Sequence, residues 1–158
     1  MANFDSVQHT QSVAQVGGKA DLSIAWGTYE IASALSTSDT ITFFTLPAGT
    51  TVHKGWLQGD DIDSGTEELE INIGDSTTTD RFLNSGVLTG DAITGTKPEA
   101  GIDIYLFGTL KDGPYTYTSA TDIIGTFVAA AGGGTGTITL SMLVTYNDVR
   151  VSPPNKLL

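Results

Sequence analysis

The sequence predicts an all-β protein: an antiparallel β-sandwich or jelly-roll-like barrel with an extended N-terminal arm. Three observations support this prediction. Threonine is common and often stands beside Val, Ile, Leu, Phe or Tyr, which is a composition typical of strands. Apolar and polar residues alternate with a period of two in several segments. Turn signals rich in glycine and proline separate these segments, and no long amphipathic helical pattern occurs between them.

The clearest strand pattern lies in residues 137–146, where apolar residues occupy every even position. Threonine and serine take most of the odd positions, and Leu143 is the exception. In residues 67–74, Leu69, Ile71 and Ile73 alternate with polar residues in the same way. The predicted strands are residues 22–26, 29–34, 40–46, 51–58, 67–74, 102–107, 122–130 and 137–146. The turn signals between them lie at residues 47–49, 63–65, 112–114 and 132–134.

The chain divides into three parts. Residues 1–21 are rich in Gln, Ser, Val and Gly without a clear period, and they are predicted to form an extended arm. Such an arm is either a frayed terminus or a segment that becomes ordered on a neighbouring subunit. Residues 22–150 form the single predicted β-sandwich domain, and residues 151–158 leave the last strand through a proline pair as a surface tail.

Composition excludes several classes of function. Seven Lys and Arg residues against eighteen Asp and Glu residues give a formal net charge of −11. A chain this acidic repels phosphate backbones and anionic lipids, so we expect no nucleic-acid and no membrane partner. Cysteine is absent, which excludes disulfides, thiolate metal sites and cysteine nucleophiles. The first residues lack the pattern of a secretory signal, and no apolar run is long enough to span a membrane. We therefore expect a soluble protein that is not exported by the signal-peptide route.

An acidic segment at residues 60–70 is the one candidate cation site. A helix–loop–helix calcium motif starting at Asp61 fails, because Gly65 falls at the wrong position and the flanking segments are predicted strands. Asp61 and Asp63 remain weak candidates for a looser calcium or magnesium site, against a solvated acidic turn. His9 and His53 are the only histidines, and two of them without a third ligand make a poor zinc site. We expect no cofactor.

Catalytic motifs are also incomplete. Residues 74–76 (GDS) resemble the start of a Gly-Asp-Ser hydrolase motif, but no histidine follows His53 to accept a proton from the serine. The glycine-rich residues 132–137 lack the lysine of a phosphate-binding loop and precede a strand. No sequence feature identifies two carboxylates as the paired acid and nucleophile or base of a glycosidase. The sequence therefore predicts a protein that is not an enzyme.

Aromatic residues leave a carbohydrate-binding alternative open. The candidate rings for stacking on a sugar are Trp26, Tyr29, Trp56, Tyr105, Tyr115 and Tyr117. Among them, Tyr115 and Tyr117 alternate so that both rings point to one face. Together with a calcium loop near Asp61, this would make a lectin-like β-sandwich. Aromatic residues on strands are nevertheless more often core or subunit-interface residues.

Four short motifs in the central third carry a family resemblance. They are residues 46–52 (LPAGTTV), 59–65 (GDDIDSG), 69–75 (LEINIGD) and 80–83 (DRFL). In this order they resemble small structural proteins of tailed bacteriophages that include head decoration, or capsid cement, proteins. The resemblance covers about residues 40–83, and the outer strands carry no signature of their own.

The resemblance implies a virion structural protein that binds the outer surface of a phage capsid and stabilises contacts between major capsid protein subunits. It further implies synthesis in the host cytoplasm and a homo-oligomer, with a trimer as the first expectation. A different virion module, such as a head fibre base or a tail component, is the alternative within this reading. The acidity of the chain favours a place outside the shell, away from the genome.

Five residues are the predicted contacts with the capsid or with other subunits. Arg81 is one of only two arginines, and it is placed to pair with Asp75, with Asp80 or with a carboxylate of a partner. The apolar residues of the arm would extend the interface along the shell. The candidate interface residues are Phe4, Val7, Val13, Val16 and Arg81.

Overall fold

The computed structural model describes residues 3–5, 22–59, 69–87, 102–106, 114–129 and 135–146. All regular structure in these ranges is strand, which confirms the all-β prediction. The strands are β1 (Asn3–Asp5), β2 (Leu22–Ile31), β3 (Thr40–Leu46), β4 (Thr50–Gly59), β5 (Glu70–Gly74), β6 (Leu83–Val87), β7 (Ile102–Leu106), β8 (Tyr115–Thr116), β9 (Thr121–Ala129) and β10 (Gly136–Tyr146). Within these ranges no helix is long and apolar enough to cross a membrane.

The strands form two sheets with jelly-roll topology. Sheet A has the order β1-β3-β9-β5-β6, and sheet B has the order β2-β10-β4-β7, with β8 also paired to β4. Four antiparallel pairs enclose one another along the sequence: β5–β6 is innermost, followed by β4–β7, β3–β9 and β2–β10. Pairing of β10 with β4 and of β9 with β5 closes the roll into a sandwich. The predicted sandwich is thus confirmed; β1 and β3 form a parallel pair at one edge.

The core lies between the two sheets and is built by the alternation seen in the sequence. On β10 the inward side chains are Ile138, Leu140, Met142 and Val144, and all four are fully buried. Sheet A contributes a matching inner layer of fully buried side chains: Ile41, Phe43, Ile71, Ile73, Ile123 and Phe127. Burying each such side chain contributes roughly 1.5–3 kcal/mol, so the two inner layers dominate the stability.

The structure differs from the sequence prediction at four strands: β1, β2, β6 and the two-residue strand β8, which was not predicted. Residues 22–31 form one strand, because the ladder with β10 runs unbroken through Gly27, which pairs with Leu140. Strand β6 (LNSGV) contains only one β-branched residue, Val87, so its sequence does not predict a strand. It forms because its backbone pairs with β5. Within the predicted arm, Asn3–Asp5 pairs with Thr40–Thr42 and extends sheet A. Residues 6–21 and the tail at 151–158 lie outside the described residues.

The turn between β3 and β4 confirms the prediction made from Pro47 and Gly49. The Thr50 N–H donates to the Pro47 carbonyl oxygen at 3.2 Å, and the Thr50 hydroxyl donates to the same oxygen at 2.7 Å. Gly49 has a φ of 84° at the third position of this turn. A type II turn requires that left-handed conformation, which glycine adopts without steric cost.

Candidate functional site

Three large hydrophobic side chains are exposed along β2. Leu22, Ile24 and Trp26 are 61%, 54% and 46% exposed, respectively. They alternate along the strand and therefore share the face of sheet B that points away from the core. We call these three residues the β2 strip. Exposed apolar patches on a protein surface commonly mark interaction sites, so the strip is the first candidate for a functional surface.

Neighbouring strands widen this apolar surface. Leu143 on β10 pairs with Ile24 on one side and with Lys54 of β4 on the other. This is the leucine that departs from the polar alternation of residues 137–146, and it lies on the same outer face as the strip. In the next row, Ser141 lies between Trp26 and Trp56 and is only 7% exposed. The outer face of sheet B therefore carries a second tryptophan, Trp56, in the same row as Trp26.

Polar pairs surround the apolar part of the face. The hydroxyl groups of Thr28 and Thr139 are 2.9 Å apart, and the Thr137 hydroxyl donates to Glu30 Oε2 at 2.7 Å. At the opposite end, His53 Nε2 lies 2.8 Å from Thr145 Oγ1, where β4 has a bulge. An apolar centre with a hydrogen-bonded polar rim is the usual organisation of a protein–protein interface.

A second cluster centres on the buried carboxylate of Asp75, which is 2% exposed. Its Oδ1 accepts hydrogen bonds from the backbone N–H groups of Thr77 and Thr78, both at 2.9 Å. Its Oδ2 accepts from Arg81 Nε and from the Tyr117 hydroxyl, the latter at 2.9 Å. Four donors thus satisfy both oxygens, so this cluster ties the β5–β6 turn to the segment after β8.

The aromatic residues beside Asp75 complete this cluster. The Arg81 guanidinium carbon lies 4.1 Å from the centre of the Tyr115 ring. The rings of Tyr115 and Tyr117 meet edge to face at 4.9 Å, and Phe82 packs edge to face against both. Tyr117 is only 5% exposed and Arg81 covers Tyr115, so the two rings do not form an open platform for a sugar.

The contacts of Asp75 also govern its ionisation. Burial alone would raise the pKa of this carboxyl, but the hydrogen bonds from Arg81, Thr78, Tyr117 and Thr77 outweigh it and hold the pKa below its ordinary value of 3.8. Burial, together with the hydrogen bond to the Asp75 carboxylate, raises the pKa of Tyr117. Asp75 is therefore ionised and Tyr117 is neutral at physiological pH, which is a structural arrangement rather than a poised acid–base pair.

Stability should therefore fall in acid partly through Asp75. Because its pKa is lower in the folded chain than in the unfolded chain, its contribution is complete above about pH 4 and disappears as pH falls through the folded pKa. We expect the difference in the free energy of unfolding between the wild type and Asp75→Asn to be smaller at pH 3 than at pH 7. Urea unfolding at both pH values measures this. Asp80→Asn, at an exposed neighbouring carboxylate, is the control; equal convergence in both variants would contradict the assignment.

Of the predicted site residues, the structure describes the side chain of Arg81. It pairs with Asp75 of its own chain, which was one of the three partners expected from sequence. The backbone of Phe4 lies in β1. The other predicted residues lie outside the described ranges: Val7, Val13, Val16, Asp61 and Asp63. Among the residues that the structure describes, no three His, Asp or Glu side chains group as metal ligands.

The sequence analysis missed the β2 strip as a surface. Its signal was present, since Leu22, Ile24 and Trp26 alternate in the sequence. Alternating apolar residues normally indicate the core-facing side of a strand. Here the side that faces the core carries smaller or more polar residues, among them Ala25, Gly27 and Tyr29, and it ends in the buried Ile31.

Comparison with known proteins relates the fold to three solved structures. No family model and no curated protein matches the sequence. A chain in the capsid of Ralstonia phage GP4 aligns with a TM-score of 0.70 and 16% identity, covering 92% of this chain and 99% of that chain. A chain of the cyanophage Pam1 capsid asymmetric unit aligns with a TM-score of 0.63 and 19% identity, covering 85% and 91%. A chain in the acid-stable capsid of Helicobacter pylori bacteriophage KHP30 gives a TM-score of 0.55 and 17% identity, covering 81% and 90%. At these identities the likeness establishes a shared fold.

Proposed function

We propose that this protein is a structural component of a phage virion that binds the outer surface of the capsid and stabilises contacts between major capsid protein subunits. The observation that carries the proposal is the fold match along nearly the whole length of chains found in phage capsids. One of these chains is covered to 99% of its length, so the likeness in fold extends over essentially that whole chain.

The chemistry of the described surface supports a binding role and not an enzymatic one. The densest polar cluster, around Asp75, is closed on itself and holds two segments together. The most exposed apolar residues lie on one sheet face, where they suit contact with another protein. A net charge of −11 favours a position outside the shell, because packed DNA would repel the chain.

Three of the four motifs that suggested a phage decoration protein have structural roles here. Residues 47–50 form the type II turn that enters β4. Residues 74–82 form the turn closed by Asp75 and Arg81. These motifs specify the scaffold, so a resemblance through them supports a shared architecture.

We include homo-oligomerisation in the proposal, with a trimer as the first expectation, and synthesis in the host cytoplasm.

Co-sedimentation with expanded capsids that lack this protein tests the proposal. We expect saturable binding of the full-length chain at micromolar concentration, and at least tenfold weaker binding after deletion of residues 1–20. Because that deletion also removes β1 from the edge of sheet A, a second variant keeps the backbone and changes Val7, Val13 and Val16 to serine. Thermal unfolding of each variant checks that the sandwich stays folded.

Absence of binding by the full-length chain would contradict the capsid-binding proposal. Unchanged binding by both variants would remove the arm from the interface while leaving capsid binding in place. In the first case, tail particles and a glycan array become the appropriate partners to test, because another virion module and a lectin-like sandwich are the competing functions.

A further inference from the structure

Strand β2 is an edge strand without the usual protection. It is the outer strand of sheet B, and among the described residues only β10 pairs with it. Its ten residues, LSIAWGTYEI, include no proline, no lysine and a single carboxylate, Glu30. Proteins usually shield an edge with charges, prolines or bulges, because an open apolar edge is a template for pairing with another chain. Judged on the described residues, a long edge of this composition favours contact with another chain.

The strip next to this edge has the composition of an interface centre. Trp26 is one of the residue types that most often dominate binding energy, and Trp56 lies in the same row two strands away. Leu143 lies in the adjacent row, where it pairs with Ile24. These two rows contain no carboxylate and one charged residue, Lys54, and polar pairs lie around them. This resembles the centre and rim of a specific protein contact.

Charge indicates which partner fits. The chain carries a net charge of −11, so two copies repel each other over most approaches. The β2 strip and the residues paired with it across β10 and β4 contain no carboxylate: Thr145, Thr51, Leu143, Lys54, Ser141 and Trp56. Glu30 lies four residues beyond Trp26 and accepts a hydrogen bond from Thr137. Two acidic copies can therefore meet at the strip without opposing carboxylates, and an apolar strip is complementary to itself.

We propose that the β2 strip is a self-association surface, on which the same strip of a second copy of this chain packs. This proposal rests on the homo-oligomer that is part of the proposed function, and it assigns the surface through which the copies meet. It holds whether or not the protein binds a capsid. Packing like residues around a symmetry axis is the arrangement that closed homo-oligomers use. The strip would form the apolar centre of the contact, and the threonine pairs around it would form the rim.

Measuring molecular mass in solution by light scattering and sedimentation tests this surface. The full chain is expected to be an oligomer. Ile24→Lys and Trp26→Lys should each raise the concentration of half-dissociation at least tenfold, since each places a charge in the apolar centre. Both positions are about half exposed, so each variant should still fold and unfold cooperatively after it dissociates. Ala48→Lys is the matched control, because Ala48 is exposed in the turn before β4 and the substitution changes the net charge equally.

Cysteine substitution gives a second, independent readout because the chain has no cysteine. Leu22→Cys, Ile24→Cys and Trp26→Cys are made one at a time, with Ala48→Cys as the control. A disulfide forms only when the two Cα atoms approach within about 7 Å, so a strip residue near the symmetry axis should cross-link to its own copy under mild oxidation. Titration of the remaining thiols then distinguishes a two-fold axis, which consumes all of them, from a three-fold axis, which leaves one in three.

The outcomes separate the strip from the other proposals. A monomeric wild type would overturn self-association altogether, even if Trp26→Lys then weakened capsid binding, which would assign the strip to the shell instead. An oligomer that Ile24→Lys and Trp26→Lys affect no more than Ala48→Lys would overturn the strip as its interface. Cross-linking of all three strip cysteines no faster than the Ala48→Cys control would overturn it as well. Oligomer dissociation by the strip variants, with cross-linking at the strip, supports the proposal.

Discussion

Replacing Gly74 by alanine is expected to destabilise the fold by about 3 kcal/mol or more. A Cβ atom at this position would lie 2.1 Å from the Thr78 carbonyl oxygen, and 2.6 and 2.7 Å from the carbonyl carbon and oxygen of Thr79. These are backbone atoms that cannot rotate away. The Thr78 oxygen also accepts hydrogen bonds from the N–H groups of Asp75 and Arg81, so any shift that relieves the clash breaks the turn.

Gly125→Ala is the matched comparison, since it adds the same methyl group at another buried glycine. There the new Cβ would meet the ends of two flexible side chains, Ile71 Cδ1 at 2.8 Å and Phe43 Cε2 at 2.9 Å. Rotation of those side chains can absorb part of the clash, so we expect a loss of about 1–2 kcal/mol. Urea unfolding of both variants measures the difference. Equal losses would show that the backbone of the β5–β6 turn yields as readily as the core.

Asp75→Asn has the second large expected effect, a loss of about 3–5 kcal/mol in the free energy of unfolding at pH 7. The substitution keeps the shape of the side chain but removes the charge that Arg81 faces, and it turns one acceptor into a donor. The donors that converge on the carboxylate come from Thr77, Thr78, Arg81 and Tyr117, and an amide cannot accept from all of them. Buried donors left without acceptors account for the expected loss.

Two further variants separate the cluster from a general charge effect. Asp80→Asn makes the same charge change at an exposed residue of the same turn, and we expect a change within about 0.5 kcal/mol. Tyr117→Phe removes only one of the four hydrogen bonds to Asp75, so its cost should be intermediate, about 1–2 kcal/mol. If Asp75→Asn costs no more than Asp80→Asn, the cluster does not hold the β5–β6 turn in the way described.

Much of the scaffold was readable from local patterns. The alternation in residues 137–146 identified β10 to within one residue of its start, and the same reasoning located β3, β4, β5, β7 and β9. Pro47 and Gly49 predicted their turn because proline and glycine favour turns, and the structure adds that Gly49 adopts the left-handed conformation there. Several strand patterns separated by turn signals, with no long amphipathic helical pattern, predicted a sandwich, since strands with one apolar face must bury it against another layer.

Long-range pairing decided what local patterns leave open. Arg81 had two nearby carboxylates in the sequence, and it pairs with Asp75 because Tyr117, 42 residues further along, completes the buried cluster on that side. Strand β6 and the unbroken strand from Leu22 to Ile31 likewise depend on the ladders offered by β5 and β10, which supply hydrogen bonds where propensity is weak.

The β2 strip shows most clearly what the sequence determines and what only the tertiary structure decides. Sequence alone determined that Leu22, Ile24 and Trp26 share one side of a strand, because successive side chains alternate. Only the tertiary structure decided that this side faces outward, at the edge of sheet B. A period of two defines the two faces of a strand but does not say which one meets the opposing sheet. That choice is made by the register of β2 with β10, whose own inner face is committed to the core.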